Sequence, residues 1–204
     1  MENAKVRNNK KGYLYILFIL VISFTLWKFS QSPWLKNYEI SDLTNNYDKY
    51  EIEIRDFINY FRSIVPDDSY VYIEPANRRI DIFFLKDDMV YREWNMNLNS
   101  KKADTIFNIL HWNKKEIKKL KEKLDKINCI SIDNSDPVRI GFKRSGFGKY
   151  YYLVFEKSIA ENDSLMEIYN NNCTEIYYRD NVVLEYGCGA IGNYCFPKSF
   201  INNH

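Results

Sequence analysis

Tyr13 to Trp27 (YLYILFILVISFTLW) contains no charged residue, follows the basic stretch MENAKVRNNKKG and stops at Lys28. At about 1.5 Å per residue, the run covers roughly 23 Å of a hydrocarbon core about 30 Å thick. Gly12, Lys28 and Phe29 can extend it, and Lys11 and Lys28 can snorkel outward to close the gap. Tyr13 and Tyr15 at one end, and Trp27 and Trp34 at the other, match the aromatic belts found at headgroup depth. The expectation is a transmembrane anchor over residues 13–29. The competing expectation is a secretory signal cleaved near Ser32. Lys28-Phe29-Ser30-Gln31-Ser32-Pro33 lacks the small-residue pattern of a cleavage site, and no cysteine follows the run for lipid attachment.

Lys5, Arg7, Lys10 and Lys11 outweigh Glu2 ahead of the run, which orients residues 1–12 toward the cytoplasm and places the rest of the chain outside, in the periplasm if the cell is bacterial. The expected localisation is a single-pass cell (inner) membrane protein. The whole chain has a formal net charge of +2, and residues 1–29 carry +4 of it, so residues 30–204 carry −2. A mildly acidic domain facing away from the cytoplasm does not suit nucleic acid as a partner. Cys129, Cys173, Cys188 and Cys195 all follow the anchor, where an oxidising compartment permits disulfides.

Residues 30–46 read as a tether broken by Pro33, with a single domain over 47–204. Tyr47, Tyr50, Ile54, Phe57, Phe61 and Ile64 recur at helical spacing, and Pro66 ends that helix. Tyr70–Glu74, Arg79–Lys86 and Met89–Leu98 read as an antiparallel meander. Asp67, Asp68, Asp87 and Asp88 sit at its turns, as Asp favours. Ser100 and Asn113 are suited to cap helices over Lys101–His111 and Lys114–Ile127. The second of these is rich in lysine, with a narrow seam of Ile117, Leu120, Leu124 and Ile127, and is expected to show a solvated outer face. Val138–Lys143 and Lys149–Lys157 form the next strand pair around Ser145-Gly146-Phe147-Gly148. A short helix then begins at Ser158 or Asp163.

Asn172-Cys173-Thr174-Glu175-Ile176 echoes Asn128-Cys129-Ile130-Ser131-Ile132, each following a helix, which suggests repeated α-β-β units. The expected fold class is α+β: one N-terminal transmembrane helix, then one domain with an antiparallel sheet of hairpins and meanders and several flanking helices. Asp180-Asn181 suits a two-residue hairpin turn. Placing Arg179 opposite Val182 then sets Tyr177 against Leu184 and Cys173 against Cys188. A directly opposed pair falls at a hydrogen-bonded position with the wider Cα spacing, so a Cys188–Cys195 bridge is favoured over Cys173–Cys188.

Gly187-Cys188-Gly189-Ala190-Ile191-Gly192 fits G-x-G-x-x-G and is rejected as a dinucleotide site, because no helix and acid-bearing strand can follow it before His204. Cys188 has only His111 and His204 as candidate bases, and no local signature places either. No catalytic, cofactor or metal residue is assigned. The chain has seventeen tyrosines, and Tyr150, Tyr152, Tyr177, Tyr178 and Tyr186 crowd the later strands, where alternation exposes some of them as interaction candidates. The functional expectation is a membrane-anchored, non-catalytic binding protein with a protein partner, in one version an immunity-type protein that neutralises a toxin. The alternatives are a bitopic envelope assembly or scaffolding subunit and an envelope hydrolase.

Overall fold

The computed structural model describes residues 15–25, 27–28, 36–187 and 194–196. The chain divides into two compact units, one reaching to Asn37 and one starting at Tyr38. In the first unit, α1 is helical over 15–25, and Ile16, Phe18, Leu20 and Phe24 on it are exposed. Tyr13, Leu14, Leu26 and Phe29 of the expected anchor lie outside the described residues. Among the described residues no helix is long and apolar enough to cross a membrane. The structure therefore does not support the transmembrane helix expected over 13–29.

The second unit opens with α2, Ile40–Ile64. This helix begins inside the stretch read as a tether, because Leu43 carries the apolar stripe one turn ahead of Tyr47 and both are fully buried. Its backbone leaves helical geometry at Tyr50 (φ −123°, ψ 19°). The meander β1 (Ser69–Pro75), β2 (Arg79–Lys86) and β3 (Met89–Asn97) follows. Asp68 (φ 56°) and Asp87 (φ 50°) take the left-handed conformation at its turns. Next come α3 (Lys101–Ile109), capped by Ser100, and α4 (Lys114–Lys126), capped by Asn113, both caps as the sequence predicts. A second meander comprises β4 (Ser131–Asp133), β5 (Val138–Ser145) and β6 (Gly148–Val154). The described chain continues through α5 (Asp163–Asn170), β7 (Glu175–Arg179) and β8 (Val182–Gly187).

All eight strands form one antiparallel sheet in the order β3-β2-β1-β4-β5-β6-β8-β7. The fold is thus α+β with a large antiparallel sheet, as expected at that level. The two meanders meet where β1 pairs with β4, Ile73 opposite Ile132, so each grows outward from the middle of the sheet. One face carries Val71, Ile73, Ile80, Ile82, Ile140 and Leu184 into a core completed by α2, α3 and α4. On the opposite face α5 covers only the far end, where Leu165 and Tyr169 pack on Leu153, Val183 and Tyr177. The lysines of α4 point outward, and several meet acids there, Lys118 with Glu122 and Lys126 with Glu53.

A small polar cluster fastens α2 to the sheet. The Tyr152 hydroxyl donates to the Leu43 carbonyl at 2.9 Å and accepts from Asn46 Nδ2 at 3.2 Å, while Asn46 Nδ2 also donates to the Ile127 carbonyl at 3.1 Å. Burial raises the Tyr152 pKa. Tyr152→Phe is expected to cost about 1 to 2 kcal/mol, since it removes the tie to the Leu43 carbonyl and leaves one Asn46 Nδ2 hydrogen in the core without its acceptor. The shift in the urea midpoint measures it.

Candidate functional site

Alternation decides which side chains occupy the face that α5 leaves open. On β1, Val71 and Ile73 enter the core, which turns Tyr70, Tyr72 and Glu74 the other way. On β2, Asp81, Phe83 and Leu85 are out of phase with the buried Ile80, Ile82 and Phe84. Arg92 lies opposite Phe83 on β3. Lys149 and Tyr151 of β6 share this face with Arg144 of β5, which is opposite Lys149.

Lys149 is the centre of the arrangement. Its side chain is 5% exposed and runs from β6 over β5 to β4, where it meets side chains that β1 sends back across the face. The ammonium donates to Ser131 Oγ at 3.1 Å, Tyr72 Oη at 2.7 Å and Glu74 Oε2 at 2.5 Å. Three partners use all three of its protons, so it acts as a brace between the two meanders rather than as an available nucleophile. The path exists because residue 141 is glycine. A Cβ there would stand 2.1 Å from Ser131 Oγ and 2.8 Å from Lys149 Cδ.

Glu74 completes the brace. It accepts from Arg144 Nε at 2.8 Å and Nη2 at 2.6 Å, and from the Tyr72 hydroxyl at 2.7 Å. Burial alone would raise the Glu74 carboxyl, but the Lys149 ammonium and the Arg144 guanidinium outweigh it and hold it at about 2. Burial also governs Lys149, lowering its pKa to about 8 against the pull of Glu74. Burial and the adjoining Glu74 charge raise the Tyr72 phenol.

A second pair stands beside the first. Arg139 donates to Glu185 through Nε at 3.1 Å and Nη2 at 2.6 Å, and its guanidinium lies 4.3 Å above the Tyr151 ring. Burial raises the Glu185 pKa in spite of Arg139. Farther along the face, Arg92 stacks on Phe83 at 5.3 Å, Phe83 meets Tyr70 at 5.6 Å, and Trp94 approaches Tyr72 edge-on at 6.4 Å. The acids lie low in the face, while aromatic rings and guanidinium planes form its outer layer. Such a layer can recognise a partner by stacking and charge-assisted hydrogen bonds.

The predicted interaction tyrosines lie elsewhere. Tyr150 and Tyr152 are buried in the core, Tyr150 stacked on the partly buried Tyr186 at 4.1 Å. Tyr177 packs beneath α5, and the Tyr178 hydroxyl donates to Asp48 Oδ1 of α2 at 2.6 Å. The run KYYYLVFEK has aromatic or apolar residues in both phases, so its inward phase cannot be chosen from the run itself. On β1, by contrast, the alternation of Val71 and Ile73 with Tyr70 and Tyr72 is the local signal that could have marked those two tyrosines as outward-facing.

The cysteine expectation also needs correction. Cys195 is bonded to Cys173, with Cα atoms 4.6 Å apart, and Cys129 is a free, buried thiol whose pKa burial raises. A bulge between Tyr177 and Arg179 slips the hairpin by one residue, so Tyr177 faces Val183 and Ile176 faces Leu184. The tail then lies alongside the hairpin, Tyr194 N–H donating to the Tyr186 carbonyl and Phe196 N–H to the Cys173 carbonyl, which carries Cys195 to Cys173. Cys188 lies outside the described residues, as do His204 and the glycine motif beyond Gly187. His111 is exposed just past α3 in the left-handed conformation (φ 57°).

Comparison with models of protein families, with curated proteins and with solved structures gives no match.

Proposed function

We propose that this is a non-catalytic binding protein that presents the uncovered part of its sheet to one protein partner, held on the outer side of a membrane by its apolar N-terminal segment. An immunity-type protein that neutralises an incoming toxin is one concrete form of that role. The observation that carries the proposal is the exposure of Val90 (60%), Trp94 (57%) and Leu85 together on the open face beside stacked arginines. Aromatic and arginine side chains around an apolar centre are what protein interfaces favour. The carboxylates of Glu74 and Glu185 are already paired within the face, so little side-chain freedom remains there to be lost on binding. The exposed apolar side chains of α1 support attachment to a membrane.

The test is photocrosslinking in cells from a photoreactive amino acid placed at position 90. One dominant crosslinked protein, lost on Trp94→Ala, is the expected result. A smear of unrelated products that Trp94→Ala leaves unchanged would overturn the proposal. Exchanging residues 13–29 for an unrelated apolar span is expected to preserve the crosslink. Its loss would transfer specificity to the span, as a scaffolding subunit requires.

A further inference from the structure

The sheet has two edges, and they are treated differently. β7 is short and bulged between Tyr177 and Arg179, and its end is tied to α2 through Arg179, which bonds Glu51 at 2.6 Å and Asp48 at 3.1 Å. Short, bulged and covered edges are how folded proteins keep other strands from adding to a sheet. β3 is longer and mostly exposed along its length. Its irregularity is confined to its C-terminal part, where Asn95 is left-handed (φ 55°), donates its N–H to Asp81 Oδ1 and accepts from Arg79 Nη1. Among the described residues, no strand pairs with the outer side of Met89–Glu93.

The side chains along that edge are specific. Val90 is opposite Leu85 and Arg92 opposite Phe83, so apolar and cationic positions alternate on the open face and are backed by apolar residues one strand inward. The Arg92 guanidinium is exposed, and among the described residues it makes no ion pair. Arg139, Arg144 and Lys149 on the same face each have a carboxylate. Strand addition draws affinity from backbone hydrogen bonds and specificity from alternate side chains. An acidic side chain opposite Arg92 supplies the charge this face lacks.

We infer that the partner contributes an extended segment that adds as a strand to the Met89–Glu93 edge of β3, placing an acidic side chain against Arg92 and apolar side chains on either side of it. This rests on the binding function proposed above. The test uses the full chain in detergent micelles and a synthetic peptide of the length of β3, alternating threonine with valine, glutamate and valine. A second peptide carries lysine in place of the glutamate.

Hydrogen exchange at Met89–Glu93 is expected to slow with the glutamate peptide. The lysine peptide is expected to bind at least about tenfold more weakly, and Arg92→Glu to invert the order. Equal protection by both peptides, or none by either, would overturn the inference. So would concentration-dependent protection without peptide at a doubled particle mass, which would assign the edge to a second copy. A position-90 crosslink that survives when both peptides fail removes strand addition and leaves the binding function standing, whereas loss of both removes both.

Discussion

Glu74→Ala is expected to lower stability by about 3 to 5 kcal/mol, the usual cost of removing one member of a buried ion pair. The variant leaves the Lys149 ammonium, 5% exposed, with only hydroxyl partners, and it also removes the bidentate acceptor of Arg144. Urea denaturation at neutral pH measures the loss. Glu74→Leu combined with Lys149→Met is expected to restore most of it, because well-packed apolar replacements of a buried pair are often neutral or better. A Glu74→Ala cost under about 1 kcal/mol, typical of an exposed pair, would mean that the brace contributes little.

The same carboxylate sets an acid limb. Its folded pKa of about 2 lies below the ordinary 4.5, so its contribution is fully present above pH 4.5 and is lost as pH falls toward 2. At most this amounts to about 3 kcal/mol, and the limb is expected to flatten in Glu74→Gln.

Gly141→Ala is expected to cost about 3 kcal/mol, the upper part of the usual range for overpacking. The new methyl would meet Ser131 Oγ at 2.1 Å and the Lys149 stem at 2.8 Å, so both the β4 hydroxyl and the lysine must move. Combining Gly141→Ala with Ser131→Ala removes the closer collision and is expected to recover part of the loss, giving a coupling above about 0.5 kcal/mol in a double-mutant cycle. Purely additive costs would show that the collision with Ser131 Oγ is not what makes Gly141→Ala costly.

The α+β class, the helix caps Ser100 and Asn113, the strand Arg79–Lys86 and the Asp180-Asn181 turn were all legible from the chain alone. Each depends on side chains and backbone groups a few residues apart, through capping geometry, alternation or turn conformation. The start of α2 lies ahead of Tyr47 and is hidden in the sequence because Leu43 stands apart in a polar stretch, and its burial becomes evident only when Tyr152 lies beneath it. The phase of KYYYLVFEK was open for a related reason. When both phases are apolar or aromatic, the inward one is set by the neighbouring strands, here Ile140 opposite Tyr152 and Leu184 opposite Tyr152.

The tertiary structure alone decided what faces the solvent on the open side. Lys149 and Glu74 are 75 residues apart in the chain, and nothing local to either marks them as a pair. They meet because β1 pairs with β4, which joins the two meanders, and because the absence of a side chain at Gly141 lets a lysine cross β5, the first of the two strands between them. The disulfide partner of Cys195 was decided in the same way, by a one-residue bulge that no run of side chains announces. Short-range patterns determined the elements of this protein, and long-range pairing determined its surface, because a strand's hydrogen bonds specify its neighbours without reference to distance along the chain.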